Sequence, residues 1–300
     1  MIVKRDHLTR RAILGAALAA PFASLGPGQV RAASAPRIVS LDLLPTELLL
    51  TLGIAPVAAA NVPLYRRLVA RPVLPEEVND LGPLTEPNAE YLQFLKPDAI
   101  VMASWQAGGL NRLADIAPLV PLDTVAGNVP AFDHMAALLG QIGSLAGREA
   151  EARQQVQQAH DVLLAARAAI ETRSARPLYV CRFSENGRNV AVFGGNGLIG
   201  DVLRQLGLKN AWQGRVNASG VVSVGIDQLA GNPEARIVHF DRGPETARAL
   251  ERLAQSALWR ALPAVRAGRV TMMPVIYPSG GVLTAMRFAR QLADGLPHDN

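Results

Sequence analysis

Apolar positions along this chain fall into two alternating rhythms. Residues 37–54, RIVSLDLLPTELLLTLGI, open with a β-branched run suited to a buried strand, pass a proline, and continue with leucines at helical spacing to Leu52-Gly53-Ile54. Residues 190–208, VAVFGGNGLIGDVLRQLGL, repeat that order and close on Leu206-Gly207-Leu208. A second pair follows. Residues 89–102 (AEYLQFLKPDAIVM) and 226–240 (IDQLAGNPEARIVHF) each read as a short helix, a Lys-Pro-Asp or Asn-Pro-Glu turn and a buried strand. Strands alternating with helices predict parallel α/β units, and the duplication predicts two of them.

Between the copies, residues 147–174 are rich in Ala, Glu, Gln and Arg and contain no proline. Val156, Ala159, Val162, Leu163, Ala166 and Ile170 recur every three or four positions there, which predicts one long amphipathic helix. At about 1.5 Å per residue it would span roughly 40 Å, enough to bridge two domains stiffly. The expected fold is α/β: two similar lobes with parallel-type sheets, residues 33–146 and 175–300, joined by one long interlobe helix at 147–174.

The first 32 residues follow a different pattern: a basic start, an apolar stretch from Ala12 to Ala20, a Pro/Gly break, and Val30-Arg31-Ala32 as a cleavage site. Thr9-Arg10-Arg11-Ala12-Ile13-Leu14 resembles the twin-arginine export motif, so residues 1–32 are expected to be a signal peptide that takes the protein to the periplasm. An ordinary signal peptide with adjacent arginines is the alternative. Charge supports removal of this segment. The chain carries a formal +5, and loss of Lys4, Arg5, Arg10, Arg11 and Arg31 with Asp6 leaves +1, so no nucleic-acid partner is implied. The single cysteine, Cys181, excludes an internal disulfide and lies too far into the chain to carry a lipoprotein's lipid.

Enzyme signatures are missing from the sequence. Gly194-Gly195-Asn196-Gly197 precedes a helix but lacks the lysine and hydroxyl residue of a P-loop, which leaves it as a helix-opening turn. No Gly-x-Ser-x-Gly elbow occurs, and His134, His160 and His239 have no metal-helix spacing. Trp105 follows a strand and precedes Gly108-Gly109, at the carboxyl end of a strand where α/β proteins bind ligands; simple packing is the alternative.

Several segments carry a family resemblance: Leu44-Pro45-Thr46-Glu47-Leu48, Thr85-Glu86-Pro87-Asn88, Asn210-Ala211-Trp212-Gln213-Gly214 and Ala285-Met286-Arg287-Phe288. These resemble the periplasmic iron(III)-hydroxamate siderophore-binding proteins over essentially the whole chain. The resemblance implies a monomeric carrier that binds a ferric siderophore between its lobes and delivers it to an inner-membrane ABC permease with its ATPase. No intrinsic cofactor is implied, because iron(III) arrives already coordinated. A receptor for another large chelate such as heme or a corrinoid, or an exported soluble enzyme, are the alternatives.

Departures from that family concern the ligand. The arginine and tyrosine that such proteins use to hold the chelate fall here on Leu84 and near Trp105-Gln106, and cleft tryptophans are replaced by Leu43, Leu68, Ser219 and Tyr277. The candidate ligand-binding residues are therefore Tyr65, Trp105, Arg182, Trp212 and Tyr277. Tyr65, beside Arg66 and Arg67, is expected in a loop, in the cleft or on a solvated patch. Arg182, after the strand pattern Leu178-Tyr179-Val180-Cys181, either supplies the missing cation from the second lobe or pairs with Glu185. Trp212 is divided between cleft and core. Glu47, Glu90 and Asp227 are the candidate permease-docking acids, although the helix dipole also favours acids early in helices.

Overall fold

Two five-stranded sheets lie either side of one long helix in the computed structural model, which describes residues 36–171 and 176–297. The export motif and cleavage site, and residues 172–174 of the expected linker, lie outside the described residues. The first sheet contains β1 (Ile38–Ser40), β2 (Ala58–Ala59), β3 (Asn79–Asp80), β4 (Ala99–Ala103) and β5 (Leu119–Leu122), ordered β3-β2-β1-β4-β5 and parallel throughout. Its central strands β1 and β4 are fully buried, as the unbroken apolar runs require.

The second sheet contains β6 (Leu178–Phe183), β7 (Asn189–Phe193), β8 (Val221–Gly225), β9 (Arg236–Phe240) and β10 (Val270–Met273), ordered β10-β9-β6-β7-β8. Here the parallel expectation holds only for β6, β9 and β10, because β7 runs antiparallel to both β6 and β8. A tight turn explains the reversal. Gly187, at φ +63°, follows Asn186, whose side chain accepts from the amides of Arg188 and Asn189. The sequence repeat also differs from the spatial one: it aligns β7 with β1, whereas β6 holds the central place in its sheet that β1 holds in the other.

The linker is a single helix over Glu149–Glu171, about 35 Å long at roughly 1.5 Å per residue. Ala152, Ala159, Leu163, Ala166 and Ile170 are buried, with Val156 and Val162 partly buried beside them. Against this face packs the final helix, Val282–Gly295, which buries Ala285, Phe288, Ala289 and Leu292; its small residues let the two backbones approach closely. The core around this pair is continuous. Ile38, Leu44, Leu48 and Val101 of the first half share it with Val180, Phe193, Val238 and Phe240 of the second, and Phe288 meets Phe240 edge-to-face at 5.8 Å.

Two buried acids reinforce this union reciprocally. Glu47, in the helix Leu43–Thr51, accepts hydrogen bonds from Gly281 N, Thr284 N and Thr284 Oγ1 at 3.1, 3.1 and 2.8 Å, so it caps the final helix from the other lobe. Asp201, in the helix Leu198–Gln205, accepts from Phe132 N at 2.8 Å and caps the helix Ala131–Ala146 in the opposite direction. Each acid stands five residues before the leucine of its Leu-Gly pair, Leu52-Gly53 or Leu206-Gly207, and both glycines end their helices at φ +73°. The duplication thus places equivalent acids as equivalent clasps.

Asp201→Ala is expected to lower unfolding free energy by about 1–2 kcal/mol, because it strands a buried helix-start amide. Asp201→Asn should recover most of that loss in urea titrations. An alanine variant as stable as the parent would show that the clasp contributes nothing.

Candidate ligand-binding site

Strand periodicity brings two arginines to the same place. Val180 on β6 and Val238 and Phe240 on β9 point into the shared core, and Arg182 and Arg242 continue the same alternation one step beyond, at the carboxyl ends of adjacent parallel strands. There they line a narrow crevice, with about 10 Å³ of free space, together with Leu68 of the first lobe and Val275, Tyr277 and Pro278 of the segment after β10. A second narrow interlobe crevice, with about 20 Å³ of free space, lies across that segment, with Ser219 and Asn196 facing Thr124 and Met135. Leu68, Tyr277 and Ser219, three of the residues standing in place of the family's tryptophans, therefore do face interlobe space.

An ion pair across the lobes closes one side of the first pocket. Glu245, in the first turn of the helix Pro244–Gln255, accepts from Arg67 Nη1 at 2.8 Å and from Arg242 Nη2 at 2.5 Å. Arg182 is half-buried and makes no ion pair among the described residues; burial and the neighbouring Arg242 hold its pKa below the ordinary arginine value, with Glu245 opposing. The suggested alternative partner, Glu185, is taken by Arg248 in a two-pronged pair at 2.9 and 3.0 Å.

Trp105 and Tyr277 meet through Asp42. Trp105 sits on a single 3-10 turn directly after β4, 56% exposed, and its indole donates to Asp42, the buried N-cap residue of the helix Leu43–Thr51. Burial holds the Asp42 carboxyl above its usual range, against hydrogen bonds from Leu44, Leu43 and Trp105. Tyr277 packs against the first-lobe cluster around Leu43 and Tyr65, and burial, reinforced by Asp42 and Glu47, keeps its phenol protonated. Gln106 is structural: its amide donates to Leu41 O and Leu84 O and accepts from Ala103 N, which leaves Trp105 as the outward-facing side chain of that turn.

Two other candidates, Tyr65 and Glu47, lie elsewhere than expected, and Trp212 takes the packing alternative. Tyr65 belongs to the helix Val62–Leu68, not a loop, and is buried with its hydroxyl donating to Pro72 O at 3.0 Å; Val62 and Val69, spaced three and four residues away, share its buried face. Trp212 packs on the outer side of the second lobe, beneath Gly214 and away from the Arg182–Tyr277 pocket. Glu47 is fully buried by its clasp and presents no surface to a partner, since its neighbours Leu44, Leu48 and Leu49 are all core residues. Glu90 and Asp227 are exposed, each in the first turn of its helical segment. Arg67, Arg242, Glu245 and Asp42 were missed in the sequence; for Arg242 the signal was its parity with Val238 and Phe240.

Among the described residues, no three His, Cys, Asp or Glu side chains gather as a metal-binding set, and no helix is long and apolar enough to cross a membrane. Two α/β lobes that share a helix and enclose a pocket at their strand ends define a substrate-binding protein. The chain matches the model of the periplasmic binding protein family over residues 38–277 and belongs to that family. It is 33% identical to the iron(3+)-hydroxamate-binding protein FhuD of Escherichia coli, over 96% of this chain and 97% of that one. Among solved structures it is similar to FhuD of Vibrio cholerae bound to Fe3+-Desferal, with TM-score 0.81, 29% identity, and 88% and 98% of the two chains covered. The fold also matches FeuA of Bacillus subtilis, a triscatecholate siderophore-binding protein, with TM-score 0.69, 17% identity, and 88% and 93% covered.

Proposed function

We propose that this protein is an exported carrier that holds a ferric siderophore between its lobes and hands it to an inner-membrane ABC permease with its ATPase. What carries the reading is the pocket at the carboxyl ends of β6 and β9, lined by Arg182, Arg242 and Tyr277, in a chain related along nearly its full length to a hydroxamate-binding protein. The iron comes fully coordinated by its chelator, so the protein supplies donors, cations and aromatic faces instead of metal ligands.

The carrier acts as a monomer in the periplasm, and Arg10-Arg11 directs its export by the twin-arginine route. Glu90 and Asp227, one exposed acid on each half of the molecule, meet basic residues of the permease. The continuous core and the two clasps favour a stiff molecule in which the lobes part little when the chelate enters. Leu84, in the place of the family's arginine, is partly buried in the apolar clusters of the first lobe, and this directs attention to the arginines of the second.

Tryptophan fluorescence tests the reading. Of the three tryptophans, only Trp105 stands exposed, on the turn at the carboxyl end of β4. A ferric hydroxamate should quench emission saturably, its iron-free form should not, and Trp105→Phe should remove more than half of the amplitude. Saturable binding of heme or cobalamin, with none of any ferric siderophore, would overturn the assignment.

A further inference from the structure

The charges around the pocket do not balance. Arg67, Arg182 and Arg242 converge there, and the one carboxylate among them, Glu245, already spends one oxygen on Arg67 and the other on Arg242. Arg242 is only 14% exposed, and its buried Nε has no hydrogen-bond partner. Among the other acids nearby, Glu185 is paired with Arg248, Asp42 and Glu47 are buried in helix caps, and Asp241, which accepts from Gly243 N, offsets part of the charge of its neighbour Arg242. A guanidinium cannot shed its proton to relieve burial, so Arg182, half-buried beside Arg242 and without an ion pair among the described residues, keeps a positive charge that calls for an anion from outside the protein.

Resting on the carrier reading above, the geometry points to a ferric chelate of net negative charge as the ligand, one carrying a free carboxylate or a comparable anionic group beyond the iron-binding atoms. Arg182 and Arg242 together form the specificity-determining pair. They stand at the carboxyl ends of adjacent strands and line the same crevice, an arrangement that can hold a carboxylate by two or more hydrogen bonds. Neutral and cationic ferric hydroxamates leave the pair without a counter-ion.

A charge series on one iron-binding core separates charge from shape. Ferric desferrioxamine B is cationic through its terminal amine, acetylation of that amine gives a neutral chelate, and succinylation an anionic one. Calorimetric titration of the full mature protein should show the anionic member binding at least about tenfold tighter than the cationic one, with the neutral member between and the gap shrinking as salt rises. Arg182→Gln should reduce that preference severalfold, and Arg182→Lys should keep it. A purely structural Arg182 would weaken all three chelates equally. Equal affinity across the series in the parent protein overturns the charge inference and leaves the carrier reading intact. Failure of all three and of an anionic ferric tricatecholate to bind overturns both.

Discussion

Glu47→Ala is expected to destabilise the folded protein by about 3 kcal/mol at pH 5, because Gly281 N, Thr284 N and the Thr284 hydroxyl lose their shared acceptor in a dry interior. The cost depends on pH. Burial, opposed by the hydrogen bonds from Thr284 and Gly281 and by the charge of Arg287, pushes the Glu47 carboxyl up from 4.5 to about 7. A folded-state pKa above the unfolded one means the native protein binds more protons in that window. Its stabilising contribution is therefore fully present below pH 4.5 and is lost as pH rises toward 7, by roughly 3 kcal/mol if this group acts alone. The gap between parent and Glu47→Ala should narrow over the same range, and Glu47→Gln should flatten the profile. Urea unfolding at pH 5 and pH 8 reads both effects. A glutamine variant with the parent's pH dependence would assign the titration to other groups.

Gly200→Ala is expected to cost a similar amount for a different reason. A Cβ at this position would lie 2.4 Å from Gly195 O and 2.8 Å from Gly194 C, both backbone atoms of the turn that opens the helix Leu198–Gln205. No flexible side chain can yield there. The turn cannot retreat either, because Gly220, at φ +73°, already packs its backbone against Gly197. Overpacking of this kind costs typically about 1–3 kcal/mol, and displacing Asp201 from Phe132 would add to it. Thermal unfolding should show a fall of several degrees with ferric-siderophore affinity reduced less than stability. An unchanged midpoint would mean the turn is more compliant than its packing indicates.

Sequence and structure agree most closely where periodicity is long. The linker helix was legible because its apolar positions repeat through 23 residues, and the duplicated strand–helix order was legible in the two Leu-Gly helix ends. The antiparallel β7 was missed although Asn186-Gly187 is a hairpin signal, since the surrounding strand–helix alternation suggested only parallel units. Burial of single polar residues was harder. Glu47 reads as an exposed helix acid until the leucines on every side of it are counted, and its hydrogen-bond donors lie 234 and 237 residues away, beyond any local pattern. Tyr65 was misplaced because Arg66 and Arg67 drew it to the surface, while Val62 and Val69 at helical spacing marked its buried face. The arginine pair depends on β6 and β9 being neighbours, a pairing across nearly sixty residues that strand propensity does not reveal.

The position of bound iron tests the account most directly. Crystals of the mature protein grown with the anionic ferric hydroxamate should give an iron anomalous peak between Trp105, Arg182 and Tyr277, with the chelate's free carboxylate against Arg182 and Arg242. An iron peak on the outer side of the second lobe beside Trp212, or no bound chelate under saturating conditions, would contradict binding between the lobes.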